Sequence, residues 1–75
     1  MKDKVIEIVS KAAKLEPSHL MENTSELLWD SLKHFEIILL LEEVFDVRLD
    51  AADIAAMRSI DAIMEVLQRV SGDKK

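Results

Sequence analysis

The sequence predicts an all-α domain, a four-helix bundle of three main helices with a short third helix between them. The apolar fraction of 49% in a chain of 75 residues is too high for a disordered tail. A single Gly and a single Pro leave little turn chemistry for β-hairpins. Apolar residues recur at three- and four-residue steps through most of the chain, which is the period of helices that bury one side.

The first helix is predicted over residues 3–15, where apolar residues line one side and charged residues the other. Its apolar residues are Val5, Ile8, Val9, Ala12 and Leu15. The helix is expected to stop there because Pro17 disfavours helical geometry at the residue before it. Residues 16–29 mix turn-forming and apolar residues, so they are expected to form a loop that packs onto the domain.

Three further helices are predicted over residues 31–45, 51–57 and 60–70. Asp30 and Ser59 are placed to accept hydrogen bonds from free N–H groups at the starts of the second and fourth helices. The fourth helix has one apolar stripe, formed by Ile60, Ile63, Leu67 and Val70. Gly72 is expected to end this helix and to leave residues 71–75 as a solvated tail. Nothing in residues 1–75 indicates a second domain.

The charge balance limits the expected partners. Fifteen acidic and ten basic residues give a net charge of −5, which disfavours nucleic acid and anionic lipid and favours partners with basic patches. No apolar run approaches the roughly 20 residues that span a bilayer, and residues 1–14 are too evenly charged for a signal peptide. The absence of cysteine suits a reducing compartment. We therefore expect a cytoplasmic monomer that neither inserts into membranes nor binds nucleic acid.

The helix predicted over residues 31–45 carries apolar residues on more than one side. At about 100° per residue, one half holds the residues expected in the core, which are Ile37, Ile38, Leu40, Leu41, Val44 and Phe45. The other half holds Ser31 and four acids, Glu36, Glu42, Glu43 and Asp46. Interleaved with these acids is an apolar stripe formed by Leu32, Phe35 and Leu39. The apolar stripe either docks a partner whose approach the acids steer, or contacts the loop or another helix.

Ser31, in the segment LLWDSLKHF, allows three interpretations. It can be a helix-start residue, although Asp30 already serves as the N-cap. It can be a nucleophile assisted by Asp30 and His34, but these flank it along one short stretch, and a small bundle has little room for a substrate cleft. It can be an attachment point, since a helix N-terminus favours a covalently held phosphate. No metal site is expected, because His19 and His34 form no ligand cluster and residues 46–53 lack the glycine of a calcium loop.

Three stretches of the sequence together resemble the acyl carrier proteins, a family of phosphopantetheine-dependent carriers. They are DSL at residues 30–32, FEIILLLEEVFDVRL from Phe35 and AADIAAMRSIDAIMEVL from Ala51. The tripeptide alone has little specificity, whereas the ensemble extends over essentially the whole chain. The resemblance implies a right-handed four-helix bundle with a short third helix, and a protein that is not itself an enzyme.

The resemblance also implies a covalent cofactor. Ser31 would accept 4′-phosphopantetheine from coenzyme A through a separate magnesium-dependent phosphopantetheinyl transferase (holo-acyl-carrier-protein synthase), and the terminal thiol of this arm would hold acyl groups as thioesters. Asp30 and Leu32 would belong to the recognition motif. Partner synthases and transferases would bind the acidic helix through Phe35, Glu36, Leu39, Glu42, Glu43 and Asp46. The residues that would line an acyl pocket, or else simply pack the core, are Ile38, Leu41, Phe45, Ile54, Ile60 and Ile63.

The segment around Ser31 departs from the pattern of fatty-acid carriers. Leu28 stands where a glycine is common, Trp29 adds bulk beside the serine, and the position after the DSL motif, where an acidic residue is frequent, is Lys33, which is followed by His34. Lys33 could help neutralise the phosphate of the arm, and Trp29 could pack as core or contact the arm. Both fatty-acid biosynthesis and a dedicated lipid or polyketide pathway stay open. The alternatives are a peptidyl or aminoacyl carrier and an unmodified helical interaction module that uses the same helix.

Overall fold

Five α-helices follow one another in the computed structural model, which describes residues 2–72. They are α1 (Lys2–Ala13), α2 (Pro17–Glu22), α3 (Ser31–Phe45), α4 (Ala51–Ala56) and α5 (Ile60–Gly72). No strand occurs in this part of the chain, so the all-α class is confirmed. The predicted number of four helices is one too low, because α2 forms inside the expected loop. The tail predicted over residues 71–75 begins inside α5, and residues 73–75 lie outside the described residues.

The additional helix α2 owes its start to Pro17 and its position to Leu20. Pro17 is the first helical residue, where its fixed φ suits a helix and its missing N–H costs nothing. Leu20 is completely buried in the core. The side-chain amide of Asn23 donates to the carbonyl of His19 at 2.9 Å and closes the end of the helix. The proline that was expected to end one helix therefore also begins the next.

Helix α1 ends at Ala13, two residues earlier than predicted, because the chain turns at Lys14. Lys14 adopts the left-handed conformation with φ of 59°. The N–H of Leu15 then donates to the carbonyl of Ser10 at 3.1 Å, the pattern of a Schellman helix end. The hydroxyl of Ser10 donates to the carbonyl of Leu15 at 2.7 Å. This turn brings Leu15 against the core instead of continuing the helix.

One hydrophobic core joins the helices. Helix α1 packs against α2, α3 and α5, and α4 packs against α5. The largest fully buried side chains are those of Leu20, Ile37, Ile38, Leu41, Met57, Ile60, Ile63 and Leu67. The loop before α3 is tied to α5 by two hydrogen bonds between Thr24 and Asp61, one through the backbone at 2.9 Å and one through the side chains at 3.2 Å. No helix within residues 2–72 is long and apolar enough to cross a bilayer.

Helix α3 buries a narrower side than the sequence predicts. Ile37, Ile38 and Leu41 are buried, and Phe45 is half-buried against the core. Leu40 and Val44 were expected in the core, but their exposed fractions are 36% and 46%, so this prediction was wrong. A chain of this size has too few elements to cover half the circumference of a long helix, and the core takes only the central arc.

The C-terminal end of α3 is held by one of its own acids. Asp46 adopts the left-handed conformation and ends the helix. The carboxylate of Glu42 then accepts a hydrogen bond from the N–H of Leu49 at 2.9 Å, and Leu49 and Val47 are both buried. Glu42 is half-buried. Glu42 thus fixes the connection between α3 and α4.

We predict that Glu42→Ala lowers the free energy of unfolding by about 1 kcal/mol, because a buried N–H loses its charged acceptor. Urea unfolding followed by circular dichroism at 222 nm measures this change. The matched control is Glu43→Ala, which removes an exposed carboxylate from the neighbouring position of the same helix and should have little effect. Equal unfolding midpoints for the two variants would contradict the structural role of Glu42.

Candidate functional site

The N-terminus of α3 is capped by Asp30, as predicted. Asp30 has an extended backbone, and its carboxylate accepts a hydrogen bond from the N–H of Lys33 at 2.9 Å. Its carbonyl accepts the first intrahelical bond, from the N–H of His34 at 2.9 Å. The capping function at this helix start therefore belongs to Asp30, and the neighbouring hydroxyl is not needed for it.

Ser31 is the first residue of α3 and is exposed. Within the described part of the chain its hydroxyl has no hydrogen-bond partner. Two other serines show the contrast, because Ser10 donates to a carbonyl at the end of α1 and Ser59 accepts the N–H of Ala62 at 3.1 Å. Ser59 is a structural cap, whereas Ser31 presents a free hydroxyl at a capped helix start.

His34 links the loop before α3 to helix α4. The indole N–H of Trp29 donates to Nδ1 of His34 at 2.9 Å, and Nε2 of His34 lies 2.8 Å from the carbonyl oxygen of Ile54. An indole N–H is only a donor, so Nδ1 is the acceptor and Nε2 carries the proton that it donates to Ile54. The two rings are inclined by only 12°, with centroids 6.3 Å apart. Both imidazole nitrogens are therefore occupied.

This arrangement does not form a catalytic triad. A triad requires one nitrogen of the histidine to bond the serine hydroxyl and the other to bond a carboxylate. His34 instead bonds Trp29 and Ile54, and the carboxylate of Asp30 bonds a backbone N–H. The side chains that the sequence brings together along the chain are thus directed to different partners.

A cavity of about 490 Å³ opens beside Ser31. Its lining combines the predicted site residues with residues from distant parts of the sequence, and consists of Leu27, Trp29, Asp30, Ser31, His34, Ala55 and Arg58. Arg58 and Ala55 were not predicted as site residues, because no local pattern signals which residues in and after α4 approach the start of α3. Lys33 was the cation expected beside Ser31, but its ammonium lies 3.8 Å from the carboxylate of Glu36. The cation in the cavity is Arg58.

The apolar stripe of α3 is open to solvent. Leu32, Phe35 and Leu39 are 70%, 63% and 63% exposed, so the alternative that they contact the loop or another helix is wrong for the described residues. Glu36, Glu43 and Asp46 are also exposed, whereas Glu42 is held by its bond to Leu49. Leu40 and Val44 are also exposed, and around the helix they lie on the other side of Glu36 and Glu43 from the apolar stripe. Exposed apolar surface of this extent on one helix is typical of interaction sites.

The residues named for an acyl pocket pack the core. Four of them are fully or almost fully buried, namely Ile38, Leu41, Ile60 and Ile63. The other two, Phe45 and Ile54, pack against the same core from its edge. None of the six lines the cavity beside Ser31 or a second cavity of about 330 Å³ between α1 and α2. Within the described residues, no group of three or more histidines and acids is arranged to hold a metal ion.

No protein-family model, no curated protein and no solved structure matches this chain. The resemblance to acyl carrier proteins therefore stays a prediction from the sequence.

We predict that His34→Ala lowers the free energy of unfolding by about 1–3 kcal/mol, because the indole N–H of Trp29, a residue that is almost fully buried, loses its acceptor, and the carbonyl of Ile54 loses one of its two donors. Urea unfolding measures the loss, and the emission of Trp29 reports the change around the indole. The control is His19→Ala, at an exposed position of α2. A free energy of unfolding of His34→Ala that equals that of the unsubstituted protein would show that the link through His34 contributes no stability.

Proposed function

We propose that this protein is an acyl carrier protein, which carries acyl intermediates as thioesters on a 4′-phosphopantetheine arm attached to Ser31. The observation that carries the proposal is the exposed hydroxyl of Ser31 at the first residue of α3, with no partner in the described chain. Asp30 already caps the helix, so Ser31 is available for modification. The protein acts as a substrate of other enzymes and performs no catalysis itself.

The modification uses chemistry that the position favours. The Oγ atom of Ser31 attacks the β-phosphorus of coenzyme A, the pyrophosphate bond breaks, and adenosine 3′,5′-bisphosphate leaves. The hydroxyl proton passes to a base of the transferase. The product is a phosphodiester that keeps one negative charge at the start of a 15-residue helix, where free N–H groups and the helix dipole stabilise an anion. The chain has no cysteine, so the thiol that forms thioesters is supplied by the arm.

The outer side of α3 supports docking to a series of enzymes. The apolar stripe is exposed and is accompanied by Glu36 and Glu43, which are also exposed. Acids at the margin of an apolar surface steer a basic partner, and the apolar contacts hold it. The helix lengths support the proposal, because α1, α3 and α5 are long and α4 is short. The candidate pathways are fatty-acid biosynthesis and a dedicated lipid or polyketide pathway.

One rival function has an observation in its favour. Five large apolar side chains of α3 are exposed, including Leu40 and Val44, and an unmodified interaction module would need just such a surface. Partner binding by that module would survive Ser31→Ala and would be lost in Phe35→Ala or Leu39→Ala. A peptidyl or aminoacyl carrier would be modified at Ser31 in the same way and would differ only in its cargo.

We predict that the apo protein, incubated with coenzyme A, Mg²⁺ and a broad-specificity phosphopantetheinyl transferase, gains the mass of one phosphopantetheine group at Ser31. Intact-protein mass spectrometry and peptide mapping measure the adduct. The matched control is Ser25→Ala, which removes another exposed serine and should leave the adduct in place, whereas Ser31→Ala should abolish it. Absence of the adduct with several transferases, or its persistence in Ser31→Ala, would refute the carrier function.

We also predict that Asp30→Ala slows the modification of Ser31, because the N-cap that fixes the start of α3 is lost. Asp50→Ala is the matched control, since the carboxylate of Asp50 caps α4 through the N–H of Asp53 at 2.8 Å. Each variant should lose about 1 kcal/mol of stability, but the rate of adduct formation should fall only in Asp30→Ala. Equal modification rates in the two variants would show that capping at this site has no role in recognition.

A further inference from the structure

The cavity beside Ser31 is built by three separate parts of the chain. Leu27 and Trp29 come from the loop before α3, Ser31 belongs to α3 itself, and Ala55 and Arg58 lie at the end of α4 and just after it. Its volume of about 490 Å³ falls within the roughly 300–1,000 Å³ of ligand pockets. Because Ser31 lines the cavity, a group attached to its hydroxyl starts beside this space.

Arg58 gives the cavity one group that can bind an anion. The guanidinium of Arg58 is exposed and has no hydrogen bond or ion pair within the described part of the chain. The arginine that contacts an acid in this region is Arg69, and its partner Asp53 does not pair with Arg58. The carboxylate of Asp30 is engaged by the N–H of Lys33. A planar guanidinium is well matched to two oxygens of a phosphate group.

The remaining lining is largely apolar and partly rigid. Trp29 is only 7% exposed, and its indole is fixed by the hydrogen bond to His34. Leu27 and Ala55 add aliphatic surface at the exposed margin. Such a surface can bind a small branched hydrocarbon group, and because the indole is already fixed, binding does not cost the entropy of ordering it.

Within residues 2–72, the core next to this site is occupied by packed side chains. The bond between His34 and the carbonyl of Ile54 joins α3 to α4 directly beside the cavity. Behind this bond, Ile38 and Ile63 are buried side chains of the packed core. An arm attached to Ser31 can therefore reach the surface cavity without any change in structure.

We infer that the cavity is a docking site for the inner half of the phosphopantetheine arm, with Arg58 binding the phosphodiester and Trp29 contacting the two methyl groups of the pantoyl unit. This inference rests on the function proposed above. The outer half of the arm and its thiol extend past the cavity and stay accessible to partner enzymes. Docking reduces the volume of solution that the thiol can reach. When an enzyme draws the arm into its own active site, the bond between Arg58 and the phosphodiester must break.

The test uses the holo protein made with coenzyme A and the transferase. Two-dimensional proton NMR should show nuclear Overhauser contacts between the indole protons of Trp29 and the two methyl groups of the arm. Arg58→Gln should lower the equilibrium constant for docking about tenfold, because a hydrogen bond to a charged group is lost, and should weaken these contacts. The matched control is Arg48→Gln, another exposed arginine that does not line the cavity, and it should leave them unchanged.

A second variant adds a repulsive charge instead of removing an attractive one. Ala55→Glu places a carboxylate on the exposed margin of the cavity and should displace the phosphodiester by repulsion, while the adduct on Ser31 still forms. An adduct without contacts between Trp29 and the arm, or contacts unaffected by both Arg58→Gln and Ala55→Glu, would overturn this inference alone. Failure of the adduct to form would instead overturn the proposed function and the inference with it.

Discussion

The burial of one narrow side of α3 determines where the functional groups of this protein lie. Ile37, Ile38 and Leu41 lock that side into the core, and at about 100° per residue this fixes the direction of every other side chain on the helix. Ser31 lies two turns before Ile38 and almost in line with it. The hydroxyl is therefore at the border of the buried side, where α3 meets its preceding loop and the end of α4. Phe35 and the rest of the apolar stripe turn further outward.

The same side chains that hold the loop in place also shape the candidate site. Trp29 belongs to the core, yet one part of its surface lines the cavity. His34 uses both ring nitrogens for structure, and in doing so it fixes the indole and joins the loop to α4. Thr24 and Asp61 fasten the other end of the loop to α5. Stability and site geometry are thus properties of one hydrogen-bonded loop, and the free groups that remain beside it are the Ser31 hydroxyl and the Arg58 guanidinium.

Features set by neighbouring residues could be predicted from the sequence, and those set by the tertiary fold could not. The bounds of α3, the N-cap Asp30 and the exposed stripe depend on spacing within one helix, and they agree with the structure. The exposure of Leu40 and Val44 depends on which elements pack beside them. Helical periodicity carries no such information, so the prediction that both lie in the core was wrong. The approach of Arg58 to Ser31 depends on the path of the chain across α4, for which the sequence carries no local signal.

Side-chain hydrogen bonds attach helix α4 to α3 and to α5. It is six residues long and has no fully buried side chain, with Ile54 only half-buried against the core. Side-chain bonds hold it on two flanks, from His34 to the carbonyl of Ile54 and from Arg69 to the carboxylate of Asp53. Release of these bonds would free the segment at a much smaller cost than global denaturation. Its amide hydrogens should then exchange with solvent through local unfolding of α4. The side of the cavity formed by Ala55 can therefore move when a group enters the cavity, while the remaining helices keep their packing.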